Sequence, residues 1–208
     1  MSGGYGFAEE TAVVHDHKGG WLAIQYNHYG PRSQAISEYL STYSLDKPNQ
    51  FEFILQLNRA AHARLANKSI FTKLNIKEAP ARLSKEYKKA NIALVTSLES
   101  TSKIVGGDYV SVEIGLERES TTSLNLSKYI PSFLIMANEE RDAVSSLTIS
   151  GKEDEIHPID PVDLIKERLE VVINNMPLDN GLRIPKEDRF NALKRAYNTW
   201  VAEGIIKE

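Results

Sequence analysis

The stretch DYVSVEIGLER, residues 108–118, alternates apolar and polar residues more regularly than any other part of the chain. On an extended strand the apolar side would hold Val110, Val112, Ile114 and Leu116, and the polar side Ser111, Glu113, Gly115 and Glu117. A strand with one apolar and one polar side belongs to a sheet that is packed on one face and solvated on the other. Residues 108–118 therefore predict such a half-solvated sheet.

Strand and helix patterns interleave on both sides of this stretch. Further strands are predicted at 11–15, 21–26, 51–57, 70–78 and 145–151. Helices are predicted at 31–43, 59–67, 80–97, 124–140 with a break at Pro131, 162–175 and 186–203. Gly19 and Gly20 suit a tight turn between the first two strands, and a hairpin there excludes a purely parallel sheet.

These elements predict an α+β fold with a mixed, largely antiparallel sheet, packed helices and a C-terminal helical hairpin. Residues 1–151 are expected to form a mixed α/β domain. Residues 152–208 are expected to form the hairpin, either docked on the sheet or forming a dimer. The acidic stretch KEDEIHPIDP, residues 152–161, reads as a linker between the two parts.

Composition narrows the class of protein. The chain has 208 residues and no cysteine, which excludes disulfides and thiolate metal sites and suits a reducing cytoplasm. No apolar run is long enough to span a membrane, and MSGGYG at the start resembles a flexible leader rather than a signal peptide. We therefore expect a cytoplasmic protein without a membrane partner.

Charge is distributed unevenly along the chain. Residues 59–105 carry ten lysines and arginines against three glutamates, so their net charge is +7 within a chain of net charge −3. The segments 1–58 and 106–208 are acidic, at −3 and −7. A segment this basic suits either a polyanion such as nucleic acid or an acidic surface elsewhere on the protein.

The basic segment predicts a nucleic-acid-binding patch built from one strand and the following helix. The strand would contribute Lys73 and Lys77, with Phe71 on the same face to stack on a base, and the helix would contribute Arg82, Lys85, Lys88 and Lys89. Such a patch would contact backbone phosphates and would not read sequence. The alternative is a solvated lysine-rich face, or one that complements the acidic C-terminal third.

No catalytic signature is present. The chain lacks a phosphate-binding glycine loop, a GxSxG elbow and an HExxH motif, so neither catalytic residues nor a cofactor is predicted. His15 and His17 share a strand face, but nothing brings further ligands to them, and no metal site is predicted. A divergent metal-dependent nuclease using Glu113 on strand 108–119 remains an alternative.

The junction IQYNHYGPR, residues 24–32, is the other candidate site. Asn27, His28 and Arg32 could form a polar site there, since Arg32 lies unfavourably in the first turn of a helix and calls for a partner. The competing interpretation is that these residues only connect a strand to a helix. Gly30 and Pro31 suit such a junction, and Asn27 and His28 can bond nearby backbone groups.

The blocks GFAEETAVVHD, WLAIQYNHYGPR, LTISGKEDEIHPIDPVDLIKERL and EDRFNALKRAYN resemble an uncharacterised prophage and defence-island family that is akin to the RexA phage-exclusion protein. The resemblance implies a dimeric, non-enzymatic DNA-binding protein of phage–host conflict. It also implies a strand-rich segment before GFAEE, where this chain has only MSGGY.

The alternative to a nucleic-acid-binding protein is a homodimeric interaction module that uses Phe190, Tyr197 and Trp200.

Overall fold

The computed structural model describes residues 10–26, 30–31, 33–43, 51, 53–90, 92–117, 120, 122–180 and 183–206. The strands are β1 (Val13–Asp16), β2 (Trp21–Ile24), β3 (Ile70–Glu78), β4 (Val110–Gly115), β5 (Val144–Lys152) and β6 (Asp160–Asp163). The helices are α1 (Ser33–Thr42), α2 (Arg59–Ala66), α3 (Lys85–Ala90), α4 (Ile92–Val105), α5 (Ile130–Glu139) and α6 (Lys186–Ala202). Short 3₁₀ turns cover Pro80–Arg82 and Ser127–Tyr129. The predicted α+β class is confirmed.

The chain divides into two compact units. One unit consists of Met1–Phe53 together with Glu170–Glu208, and the other consists of Ile54–Leu169. The predicted division after residue 151 differs from this one, because β5 runs on to Lys152 and pairs with β6. The acidic stretch that reads as a linker therefore leads into a strand of the same sheet.

The unit Ile54–Leu169 is built on an antiparallel four-stranded sheet in the order β4-β3-β5-β6. One face of the sheet packs into an apolar core that includes Leu74 of β3, Leu147 and Ile149 of β5, and Val162 of β6. Helix α2 adds Ala61 and Leu65, and α5 adds Met136 and Ala137. The Asn58 side chain caps α2 by accepting from the Ala61 N–H at 2.9 Å.

The other unit contains the β1–β2 hairpin and helices α1 and α6. Ala12, Ala23 and Leu193 form its buried centre, and Phe190 and Trp200 of α6 pack against them. The turn between the strands depends on Gly20, which has a φ of 70°, and on Asp16, whose carboxylate accepts from the Lys18 and Gly19 N–H groups at 3.0 and 3.2 Å. The predicted N-terminal hairpin is thereby confirmed.

The predicted C-terminal helical hairpin is wrong, since α6 is a single helix. Residues 162–175 contain no helix, because they form the end of β6, a turn and an extended segment. Val162 and Leu164, two residues apart, are both fully buried, so the buried period here is that of a strand. Pairing with β5 outweighed the helical spacing of Val162, Ile165 and Leu169.

Residues 51–57 also differ from the prediction. Of the described residues in this stretch, only Leu57 forms a β-bridge, opposite Arg168, and the predicted strand is not formed. Pro131 behaves as proline usually does near a helix start. It lies in the first turn of α5, after the Ser127–Tyr129 turn, so the break predicted at Pro131 becomes the beginning of the helix.

Candidate nucleic-acid interface

The face of the four-stranded sheet that points away from the core is polar. We define the polar sheet face by the side chains that share it: Lys73, Asn75 and Lys77 on β3, Ser111 and Glu113 on β4, and Ser146, Thr148 and Ser150 on β5. The register places them together, since residues directly opposite on neighbouring strands point to the same side. These strands line an open depression of about 630 Å³.

Strand alternation explains why β3 presents its lysines here. From Lys73 onward the odd-numbered residues point to the polar sheet face, and Leu74 and Ile76 point to the core. Asn75 lies opposite both Glu113 and Thr148, and Lys77 lies opposite both Ser111 and Ser146. The two predicted strand lysines are therefore on one face, as the sequence indicates.

Tyr109 is an aromatic residue that lies beside Lys77. It precedes β4 directly and is 60% exposed. The Lys77 Nζ lies 4.1 Å from the centroid of the ring, within the range of a cation–π contact. Sequence reasoning missed Tyr109, although its odd number places it on the polar side of the alternating stretch that begins at Val110.

Phe71 does not share the face of the lysines. It is 5% exposed and lies in the core with Leu74. The pairing of β3 with β5 shifts register between Phe71 and Lys73, so a bulge inserts one extra residue there. A slip of one residue moves a side chain to the opposite face of a sheet. The bulge thus turns Phe71 inward and removes it as a partner for a base.

Charge on the polar sheet face is partly balanced. Lys73 Nζ lies 2.9 Å from Glu113 Oε1, and the two side chains are 43% and 58% exposed. Such exposed pairs are worth roughly 0–1 kcal/mol. Lys73 can therefore exchange Glu113 for a phosphate oxygen at little cost.

The helix residues of the predicted patch differ in whether a carboxylate already pairs with them. Arg82 and Lys85 are exposed, and within the described part of the chain no carboxylate pairs with either. Lys88 instead reaches α4, where its Nζ lies 2.7 Å from Glu99, and its hydrogen bond lowers the pKa of that carboxyl. The side chain of Lys89 lies outside the described residues.

Two further cations of the basic segment form ion pairs with carboxylates of the same chain. Lys68, with a side chain only 3% exposed, lies 2.7 Å from Asp160, and Arg64 bonds both Asp160 and Glu167. Burial alone would raise the pKa of Asp160, but the hydrogen bonds from Lys68 and Arg64 hold it below its ordinary value. Arg64 and Lys68, neither of which belongs to the predicted patch, therefore pair with carboxylates of the acidic C-terminal third.

A pair of carboxyls on the core side was not predicted at all. Glu78, at the end of β3, and Glu140, after α5, are each 2% exposed. Glu140 accepts from the Ser84 N–H at 2.9 Å and from the Ser84 hydroxyl at 2.5 Å, whereas neither oxygen of Glu78 has a hydrogen-bond partner among the described residues. Burial, and then the charge of Glu140, raises the pKa of Glu78.

Tyr87 lies near the same carboxyls. Its hydroxyl donates to Met136 Sδ at 3.4 Å, and burial together with Glu78 and Glu140 raises its pKa to about 12. The phenol therefore stays protonated at neutral pH. No sequence signal identifies this cluster, because Glu140 is more than fifty residues from Glu78 and Tyr87 in the chain, and glutamates are usually exposed.

The structure gives no support to the other candidate sites, which are the polar site and the metal-dependent nuclease site. Asn27, His28 and Arg32 lie outside the described residues. In the part of the chain that is described, no group of three or more His, Cys, Asp or Glu side chains could hold a metal ion. Glu113, the residue that the nuclease alternative needs, is engaged with Lys73.

The aromatic residues of α6 pack within their own unit. Phe190 and Trp200 lie against the centre of the β1–β2 hairpin, and the Tyr197 hydroxyl donates to Asp16 at 2.7 Å. These side chains support the fold of that unit, which removes the observation on which the interaction-module alternative depended. None of the described helices is long and apolar enough to cross a membrane.

Comparison with known proteins places the chain in a family. The sequence profile of a family of unknown function, DUF6731, matches residues 5–203. Since the match covers nearly the whole sequence, the chain belongs to that family. Neither the curated proteins nor the solved structures yielded a match.

Proposed function

Because membership of this family supplies no activity, we propose from the geometry that the protein binds nucleic acid through the polar sheet face. The observation that carries the proposal is the alignment of Lys73, Asn75 and Lys77 along the second strand of a four-stranded sheet. Hydroxyl side chains from both neighbouring strands flank this row, and the surface is an open depression. Binding requires no catalytic step, so the proposed role is non-enzymatic.

The chemistry of the face suits a sugar–phosphate backbone. Lysine ammonium groups neutralise phosphates, and amide and hydroxyl groups donate hydrogen bonds to phosphate oxygens. Within the described residues, no hydrogen bond occupies the side chains of Asn75, Ser111, Ser146 or Thr148. Arg82 and Lys85 follow β3 in the chain and add two cations with which no carboxylate pairs within the described residues.

The number of available cations sets the expected affinity for nucleic acid and its dependence on salt. Lys73, Lys77, Arg82 and Lys85 could neutralise three or four phosphates, and each contributes about 0.7 to the salt slope on a single strand. A plot of log K against log salt should therefore have a slope of about −2 to −3. This predicts modest affinity that is lost between low and physiological salt.

The biological setting that we propose is phage–host conflict in the cytoplasm, with DNA as the first ligand to test. Its support is the resemblance of the GFAEETAVVHD and WLAIQYNHYGPR blocks to RexA-like proteins. From the same resemblance we propose that the protein is a homodimer. Light scattering of the purified protein would measure its mass directly.

Anisotropy titration of labelled DNA, as duplex and as single strand, tests the proposal at low salt. The double variant Lys73→Gln with Lys77→Gln should weaken binding about tenfold or more. The control, Lys18→Gln with Lys103→Gln, removes the same charge from exposed positions outside the sheet and should leave affinity unchanged. Absence of binding to both DNA forms at low salt, or equal losses in both double variants, would overturn the proposal.

A further inference from the structure

We infer that the polar sheet face takes a single strand rather than a duplex, and that Tyr109 stacks on an unpaired base beside Lys77. This inference rests on the proposed function and specifies its ligand. The shared chemistry is an exposed base on a phosphate backbone, which single-stranded DNA and single-stranded RNA both offer. Three features of the sheet lead to it: its width, the position of Tyr109 and the unoccupied polar groups.

The first feature is the width of the sheet. Four strands at the usual spacing of about 4.8 Å extend roughly 14 Å from the first to the last. The major groove of B-DNA is about 12 Å wide and admits one helix or a two-stranded ribbon. A four-stranded face cannot enter such a groove, so it would touch a duplex only along its outer phosphates. A single strand can lie along the face and contact it with both bases and backbone.

The second feature is the combination of Tyr109 and Lys77 at one point. Tyr109 is 60% exposed, and the Lys77 ammonium lies 4.1 Å from the centroid of its ring. A nucleotide offers a π face and a negative charge together. An exposed ring next to an ammonium group provides a partner for each. In a duplex the bases are already stacked, so this ring would have nothing to bind.

The third feature is the set of polar groups in the depression. Asn75, Ser111 and Thr148 lie on adjacent strands, and in the described part of the chain their side chains have no hydrogen-bond partners. Amide and hydroxyl groups both donate and accept. They can therefore bond the edges of any unpaired base, which predicts binding with little sequence preference.

The test compares three labelled DNA probes of equal length with the full-length protein at low salt: a mixed-sequence single strand, its duplex, and a strand with abasic sites in place of bases. We expect the single strand to bind most tightly. The abasic strand should lose the contribution of stacking while it keeps its phosphates. A single-stranded RNA of the same sequence then distinguishes which of the two nucleic acids binds better.

Variants at Tyr109 assign the effect to the ring. Tyr109→Leu should weaken binding to the single strand by roughly five- to hundredfold and leave duplex binding unchanged. Tyr109→Phe keeps the π face and should retain the preference. Because Tyr109 is exposed, neither variant should alter the thermal unfolding midpoint, which serves as the folding control.

The two proposals fail in different ways. Equal affinity for single strand and duplex, with no effect of Tyr109→Leu, would overturn the single-strand inference and leave the proposed function intact. Failure of every probe to bind at low salt would remove the proposed function itself. A preference for the single strand that survives Tyr109→Leu but disappears with the abasic probe would refute the role of Tyr109.

Discussion

Glu78 is almost completely buried, and its carboxylate oxygens have no hydrogen-bond partner among the described residues. The side chain is 2% exposed and lies near Glu140, and burial followed by the charge of Glu140 raises its pKa. In the pH range between the unfolded and the folded pKa, the folded protein holds a proton that the unfolded chain releases. The stabilisation is therefore complete below the unfolded pKa and is lost as pH rises through the folded pKa.

Glu78→Gln removes this pH dependence because the amide cannot ionise. We expect the free energy of unfolding to be higher than that of the parent at pH 8 and similar to it near pH 4. Each pKa unit of upward shift corresponds to about 1.4 kcal/mol. Denaturant melts at several pH values measure the difference. Glu155→Gln, which removes the same charge from an exposed position, is the matched control. A Glu78→Gln protein that is less stable than the parent at pH 8 would contradict the assignment.

Phe71 and Tyr109 illustrate what residue patterns can and cannot predict. Alternation places Lys73 and Lys77 on one face, and the structure confirms it. It also predicts Phe71 on that face, and the prediction is wrong because a bulge separates Phe71 from Lys73. The bulge depends on pairing with β5, which is more than seventy residues away in the chain. The local periodicity of β3 therefore cannot predict it. Tyr109 lies just before β4, and its ring contacts Lys77, which is opposite Ser111 of that strand.

At the scale of elements, the contact of β3 with β5 depends on a glycine. A Cβ built on Gly151 would lie 2.5 Å from the Ile70 carbonyl oxygen and 3.1 Å from Lys68 Cδ. The missing side chain makes room for the Lys68 stem, which continues to Asp160. The close approach of the two strands and the path of the Lys68 side chain to Asp160 therefore both depend on the glycine at position 151.

Gly151→Ala should therefore destabilise the protein by about 1–3 kcal/mol, as overpacking in a well-packed core usually does. Gly115→Ala is a matched control in β4, because a Cβ there would be no nearer than 3.7 Å to any neighbour. That change should be neutral or slightly stabilising. Urea melts of both variants test the pair. Equal stability of the two would show that the sheet relaxes around Gly151 without cost.

The element that sequence reasoning placed least well is β6. Its residues fit a helical stripe, and an acidic, proline-containing stretch precedes them. What selects the strand is the free edge of β5, which pairs with Asp160–Asp163 and buries Val162 completely. Tertiary pairing outweighs a helical pattern when the pattern is short, because intrinsic propensities amount to only a few tenths of a kcal/mol per residue.

At the scale of the whole molecule, the unit Ile54–Leu169 contains its own sheet and its own core in one continuous segment. We predict that a fragment of residues 54–169 unfolds cooperatively and binds single-stranded DNA with the affinity of the full chain. Circular dichroism melts and anisotropy titration measure the two properties. A fragment without a cooperative transition would show that residues 1–53 and 170–208 are needed for folding.

A shorter fragment serves as the control for that experiment. Residues 59–169 lack Leu57, which is 3% exposed and forms the bridge with Arg168, and Asn58, which caps α2. Losing a buried leucine costs about 2–5 kcal/mol and losing a cap about 1 kcal/mol. The shorter fragment should therefore melt at a much lower denaturant concentration than residues 54–169.

By itself, the sequence determined the α+β class, the N-terminal hairpin and the concentration of positive charge in residues 59–105. All of these follow from short-range periodicity, turn residues and composition. The tertiary structure alone decided which cations are already paired, since Arg64 and Lys68 meet their carboxylates across 92 to 103 residues of chain. It also decided that the ring of Tyr109 lies beside Lys77. Both outcomes depend on strand register and long-range contacts, which local patterns do not encode.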